Sequence, residues 1–439
     1  MAPVKIRSVP AVVALLTGLN LLNYLDRYLI AAIAPSIQRD LVLTDERVGA
    51  IGTAFLWGYL LTSPVFGRLG DRFARKYLIT FGVLIWCGAT AASGLAQTFL
   101  AMLAVRVFVG VGEASYATLS PTILDDITTP QNKSRVLAVF YSAIPIGSAL
   151  GFILGGVLDK AYGWRSAFFI AGGPGVILAL SCLLIEEPPR ASKQAAPSLL
   201  PALRALAASR RYVWSAVGYT AQIFALGGFA FWAPQVVHRK FHYPLDKANF
   251  VFGGIVVVSG FLGTFLGGFL ADRGTEIDRM KVALRVSAIS AVVGVPFAFA
   301  CVLSSSPTVF FATIAVAQVC IFTSTSPLNA TLLGTVPTDV RATGMAVSIA
   351  GTHLFGDMIS VWLVGVLSTR WNDLSAALII LPIALVVNAA AWFAASRASP
   401  AGGPGEPSSE GGVGATALGA MPFTQAGGGG CLKSSSGPA

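Results

Sequence analysis

Gly67-Arg68-Leu69-Gly70-Asp71-Arg72 returns about 200 residues later as Gly268-Phe269-Leu270-Ala271-Asp272-Arg273, and both stretches fit G-x-L-x-D-R. A second pair keeps nearly the same offset. Ser120-Pro121 is followed by Arg135, and Ser326-Pro327 is followed at the same spacing by Arg341. One short match is cheap by chance, but two in matching positions point to a duplicated half. Each copy also closes a long apolar stretch. The chain has 439 residues, of which 55% are hydrophobic and only 11% charged, with a mean hydropathy of +0.73. Soluble domains carry about 25% charged residues, so a water-soluble globular enzyme is excluded.

Working outward from the repeats, apolar stretches of roughly 20 residues recur along the chain, each long enough to cross a hydrocarbon core of about 30 Å. The first six lie near 11–33, 48–66, 77–96, 98–121, 136–158 and 166–185. Glu186-Glu187-Pro188-Pro189-Arg190 and the Ser/Ala/Pro/Lys stretch after it then break the pattern, and 186–211 reads as a cytoplasmic linker. Six more spans follow near 212–234, 248–270, 282–303, 308–332, 342–366 and 373–395. The tail from 397 to 439 is rich in Gly, Ser and Pro and is expected to be disordered. The expected fold is all-α, with twelve transmembrane helices in two pseudo-symmetric six-helix halves (1–185 and 212–396). Two-half repeats of this kind mark secondary transporters, with the pathway between the halves.

The net charge of +10 follows topology. With the N-terminus in the cytoplasm, about 20 of the Lys and Arg residues fall in cytoplasmic segments and about 8 outside. That bias puts both termini in the cytoplasm and argues against a nucleic-acid partner. The cysteines at 87, 182, 301, 320 and 431 form no CxxC and read as small core residues. No cleavable signal precedes the first span.

Charges inside spans are the candidate chemistry. Each costs about 2.5–3.5 kcal/mol on insertion scales, so they face a cavity or a partner. Asn23-Tyr24-Leu25-Asp26-Arg27 sets an acid and a base in span one, while Arg106, Gly110 and Glu113 share one face of span four. Arg27 can reach down to Glu113, and Asp26 is level with Arg106, but spacing alone does not fix the pairing. Two readings stand for Glu113: a protonation switch that competes for Arg27, or a permanent bridge between the spans. In span eleven, His353 and Asp357 are i, i+4 neighbours, either a hydrogen-bonded pair on the path or packing residues. His238 and His242 fall in an external loop and read as solvated.

Span ten carries Thr323-Ser324-Thr325-Ser326 and Asn329, either a substrate-facing break or hydroxyls bonded back to their own carbonyls. Tyr24, Tyr59, Tyr116, Phe224, Phe231 and Trp232 are either walls of an amphiphilic cavity or aromatics packed against lipid and neighbouring helices. Gly110-Val111-Gly112 lies inside a membrane span and follows no strand, so it is no dinucleotide loop. GxxxxGK[ST], HExxH and GxSxG are absent. Neither a cofactor nor a metal is expected.

Gly67-Arg68-Leu69-Gly70-Asp71-Arg72-Phe73-Ala74-Arg75-Lys76 resembles the signature loop of the major facilitator superfamily, with Ala74 where that pattern usually has glycine. It is read as a short turn between spans two and three, in which glycines allow tight helix approach. Gly67, Asp71, Arg72, Arg75, Asp272 and Arg273 are then gating residues rather than substrate ligands. Within the superfamily, Asn23-Tyr24-x-Asp26-Arg27 and Arg106-x3-Gly110-Val-Gly-Glu113-Ala-Ser-Tyr116 resemble the spinster family. So do Ser120-Pro121-Thr122, Phe140-Tyr141-x2-Ile144-Pro145-x-Gly147-Ser148 and Glu187-Pro188-Pro189-Arg190. The similarity is dense over 15–190 and thinner beyond, where Trp232-Ala233-Pro234 and His353-Leu354-x-Gly356-Asp357 anchor it.

The resemblance implies a secondary carrier, not an enzyme, that moves a lipid-like amphiphile such as a lysophospholipid or sphingoid phosphate. It also implies either proton-linked or facilitative transport, with the family's acidic residues matching Asp26 and Glu113. Expected partners are the amphiphilic substrate, protons and the bilayer, with the chain acting as a monomer. The Ala/Gly/Arg-rich composition points to a bacterial inner membrane. A carrier of another small solute on the same scaffold, a non-transporting ligand sensor and a membrane lipid enzyme are the rival readings. Fold does not fix cargo.

Overall fold

The computed structural model of the chain describes residues 6, 8–129, 132–187, 199–273, 279–325, 331 and 341–398. These residues are almost entirely helical. The first half holds α1 (Val9–Asp40), α2 (Asp45–Arg72), α3 (Arg75–Ser93), α4 (Phe99–Ile127), α5 (Lys133–Tyr162) and α6 (Trp164–Cys182). The linker contains a short helix, α7 (Leu199–Ala208), within a stretch read from sequence only as a break in the spans. The second half holds α8 (Arg210–Phe241), α9 (Leu245–Ala271), α10 (Arg279–Leu303) and α11 (Pro307–Thr323). It continues through α12 (Arg341–Thr352), a π-turn (His353–Asp357), α13 (Met358–Trp371), α14 (Leu374–Ala377) and α15 (Ile380–Arg397). Eleven of the described helical stretches are long and apolar enough to cross a membrane, and Pro307–Thr323 is a shorter apolar helix. The tail, from 399 on, lies outside the described residues.

Local sequence sets the helix ends. Thr44, Thr98 and Ser209 cap α2, α4 and α8 by accepting from the N–H groups of Arg47, Ala101 and Tyr212. A single residue, Gly163 at φ +80°, separates α5 from α6. Only glycine takes that conformation without steric cost. Pro35, Pro64, Pro121 and Pro145 sit inside helices, a pattern that packed membrane helices tolerate. Large apolar side chains such as Phe265 (78% exposed) and Ile177 (69%) face outward. On a bundle of spanning helices that surface meets lipid.

The halves repeat each other's packing. In the first, α2 packs on α4 and α3 on α6; in the second, α9 packs on α11 and α10 on α15. Across the halves, α2 meets α13 and α5 meets α9. The cross-half hydrogen bonds and ion pairs concentrate at the end of the bundle that carries the α1–α2 and α5–α6 turns. There Asp45 accepts from Arg239 at 2.9 Å and from Ser368 at 2.5 Å, Glu46 N–H donates to Thr369, and Lys160 pairs with Asp246. We call this the latched end.

Two expectations change. Gly67–Arg72 does not form the turn between spans two and three: α2 runs through Arg72, and only Phe73 and Ala74 separate it from α3. Gly70 serves packing, because a Cβ there would overlap Leu119 of α4. The span expected near 308–332 is interrupted: α11 ends at Thr323, and 326–330 lie outside the described residues.

Candidate functional site

The charged residues of α1 and α4 meet halfway along the bundle, where the paired helices bring two arginines and two carboxylates together. Arg106 lies 3.4 Å from Asp26 Oδ2, and Arg27 donates to Glu113 Oε2 at 3.1 Å. Structure thus settles the pairing that spacing left open. Asp26 Oδ2 also accepts from Trp86 Nε1 and Thr90 Oγ1 of α3, each at 3.2 Å. Trp86 and Thr90 are one helical turn apart and so share a face; that spacing was the available signal, and sequence reading passed over it.

Phe55 of α2 lies against both guanidiniums, 4.7 Å from that of Arg27 and 5.9 Å from that of Arg106. The Arg27 guanidinium also lies over the Tyr24 ring, 5.2 Å from its centroid. Such cation–π contacts add attraction where water is scarce. The two pairs differ in their surroundings. Asp26, Arg106 and Glu113 are buried, whereas the Arg27 side chain keeps 16% of its surface.

Arg27 also faces the second half. It lines a small cavity of about 50 Å³ together with Gly227, Phe231 and Asp357. Asp357 closes the π-turn, where its carboxylate meets His353 Nδ1 at 3.1 Å and accepts from its own helix at Met358 N–H. Tyr59 of α2 meets the His353 ring edge-on at 5.8 Å between centroids. Tyr24, Arg27, Tyr59, His353 and Asp357, drawn from α1, α2 and the π-turn, therefore gather around the space between the halves.

Other expected cavity residues are elsewhere. Tyr116 is buried and donates to the Leu16 carbonyl at 2.5 Å, joining α4 to α1. Trp232 is buried and donates from Nε1 to the Val361 carbonyl. Both are packing residues. A large ring is stabilised most by full burial once its polar edge has a partner. Phe224 is half-buried and lines a lateral trough beside α15, not the cavity of Arg27. In the hydroxyl-rich stretch, Thr323 bonds back to Val319 and Ser324 to Ile321, while Ser324 also donates to Gln222. Asn329 lies outside the described residues.

At the opposite end of the bundle from the latch, Arg75 is buried and ties three segments together. It pairs with Asp126 of α4 at 2.6 Å and with Glu187 beyond α6 at 3.4 Å, and it donates to Thr122. Glu187 also accepts from Lys76 N–H at 2.6 Å, satisfying an orphan donor at the start of α3. Asp126 and Glu187 were not singled out as partners from sequence. Asp71, Arg72, Asp272 and Arg273 are exposed, and Arg273 lies over the Phe269 ring.

Against known proteins, a family model described as Major Facilitator Superfamily matches residues 16–356. The chain is 35% identical over 386 residues to Protein spinster homolog 1 of Homo sapiens, covering 82% of this chain and 73% of that protein. It is 34% identical over 384 residues to Protein spinster homolog 3 of Danio rerio, covering 81% and 76%. To the probable sphingolipid transporter spinster homolog 2 of Arabidopsis thaliana it is 32% identical over 411 residues, covering 85% and 84%. Among solved structures, a bacterial homolog to the human lysosomal transporter spinster, inward-facing and unoccupied, superposes with a TM-score of 0.79 at 23% identity. That match covers 89% of this chain and 97% of the other.

Proposed function

This chain belongs to the spinster family of the major facilitator superfamily and is a multi-pass membrane transporter rather than an enzyme; on that premise we propose that it carries a lipid-like amphiphile, such as a lysophospholipid or sphingoid phosphate, by proton-coupled alternating access. The name of the Arabidopsis relative, a probable sphingolipid transporter, supports the lipid class. The carrying observation is the single hydrogen bond from the partly accessible Arg27 to the buried Glu113.

In the proposed cycle, ionised Glu113 holds Arg27 against α4. Protonation removes the carboxylate charge, weakens a charge-assisted bond and frees the guanidinium for an anionic headgroup. Tyr24, Tyr59, His353 and Asp357 border the space such a headgroup would enter, and Asp71, Arg72, Arg75, Asp272 and Arg273 serve the gates. A substrate drives the exchange between states only by binding one of them better than the other. Both termini are assigned to the cytoplasm on the charge bias, the protein to a bacterial inner membrane on composition, and a monomeric state on the family resemblance.

Flux of a labelled lysophospholipid into proteoliposomes, with and without a pH gradient, tests this reading. Empty liposomes and Glu113→Gln protein run alongside. Gradient-stimulated flux that is lost in the variant supports both cargo and coupling. Flux indifferent to pH and to the substitution keeps the cargo and makes Glu113 a fixed bridge. No lipid movement by folded protein overturns the cargo in favour of a different solute.

A further inference from the structure

The two halves differ on their lipid faces. In the first half, α5 packs on α6, whereas in the second, α12 and α13 stand apart from α15 with α8 exposed as a floor between them. The result is a lateral trough of about 620 Å³, walled by Val213, Val217 and Phe224 of α8, Phe355 of the π-turn, and Ile383 and Val387 of α15. Its polar groups are turned away or scarce. The Tyr212 hydroxyl is committed to the Gly344 carbonyl at 2.7 Å and to Ser348. From Tyr212 to Phe224 the floor runs about 18 Å at the helical rise, a length suited to one extended hydrocarbon chain.

Position and charge identify the occupant. The helices that form the trough are apolar spans, so what reaches it is hydrocarbon rather than water. At the end away from the latch, α8 begins with Arg210-Arg211 and α15 ends with Arg397. Arg211 donates to the Ala398 carbonyl at 2.6 Å, which brings these two termini to one corner. Arg210 and Arg397 are both exposed there. Basic residues at the end of a span attract anionic lipid headgroups. We propose that the trough binds an anionic phospholipid of the bilayer, with one acyl chain along α8 and the phosphate at Arg210 and Arg397. This lipid is a resident of the protein's outer face and distinct from the transported amphiphile.

The test uses full-length protein in nanodiscs of phosphatidylcholine containing phosphatidylglycerol with a photoactivatable group on one acyl chain. Peptide mapping after illumination should find label concentrated on the segments 213–224 and 380–387, above the lipid-exposed residues Phe265 and Phe269 of α9. Filling the trough with Ala216→Phe and Ala384→Phe displaces at least two methylene groups of the chain and should lower that label about tenfold. Arg210→Gln with Arg397→Gln should reduce labelling by the phosphatidylglycerol probe to the level of a phosphatidylcholine probe.

A second measurement needs no variant. Unlabelled phosphatidylglycerol should remove label from the trough segments and spare α9. Label spread evenly over the lipid-facing helices, or competed equally everywhere, overturns the proposal. So does displacement of the probe by lysophospholipid but not by phosphatidylglycerol, which would make the trough a cargo site.

Discussion

Asp26 and Glu113 are both buried membrane carboxylates beside an arginine, and the number of donors separates them. Among the described residues, Asp26 Oδ2 has Trp86, Thr90 and Arg106 around it, while Glu113 has only Arg27. Removing one partner of a buried pair leaves a charge without compensation, at a cost of about 3–5 kcal/mol. Asp26→Ala is therefore expected to lower stability by about that amount, because Arg106 is buried and cannot reach solvent. Glu113→Gln is expected to cost clearly less, since Gln can still accept and Arg27 is partly accessible. Unfolding of the two variants in detergent compares them directly, and equal losses would contradict the distinction between a fixed and a switching carboxylate. At this scale the sequence exposed which residues were unusual. Charges within apolar runs stand out without any structure.

Helix elements are held by small residues at close crossings. A Cβ on Gly110 would overlap the Phe55 carbonyl oxygen, so α4 and α2 touch backbone to backbone beside the two arginines. Overpacking a tight contact costs about 1–3 kcal/mol. Gly110→Ala is thus expected to destabilise by that order and to reduce folded yield. Gly254→Ala in α9, with nothing within 4 Å of the added carbon, should be neutral or stabilise by roughly 0.5–1 kcal/mol. Size-exclusion profiles and thermal unfolding in detergent check the contrast. The face shared by Arg106, Gly110 and Glu113 was legible, because spacing on one helix fixes azimuth. The π-turn was not: one widened turn at His353–Asp357 leaves no periodic signature, and Gly356 there has backbone angles outside the helical range (φ −95°, ψ −105°).

Across the whole molecule, one carboxylate does much of the joining at the latched end. Asp45 of the first half accepts from Arg239 and Ser368 of the second and from Gln38 of its own half. Arg239 also donates to Gln38 at 2.6 Å. Truncating one partner of a hydrogen-bonded charge pair at an interface costs about 2–5 kcal/mol. Asp45→Ala should therefore weaken the latch and populate states in which this end is parted. Spin labels at the exposed Val42 and Asn372 report that distance. A longer-distance population in the variant is expected, and an unchanged distribution would show that apolar packing alone holds the halves. Arg239→Ala should act in the same direction.

The sequence by itself determined the twelve-span architecture, the two related halves and the residues whose chemistry is out of place in lipid. Hydropathy, motif repeats and helical spacing are local properties that survive in one dimension. Only the tertiary structure decided that Arg27 takes Glu113 while Arg106 takes Asp26. It alone turned Tyr116 and Trp232 into packing residues, joined Asp45 to Arg239, and left α8 exposed beside α15. Each of these depends on the depth and rotation of helices far apart in the chain. A shift of one residue turns a helical side chain by about 100° and moves it about 1.5 Å along the axis, so such pairings are fixed by packing rather than by spacing.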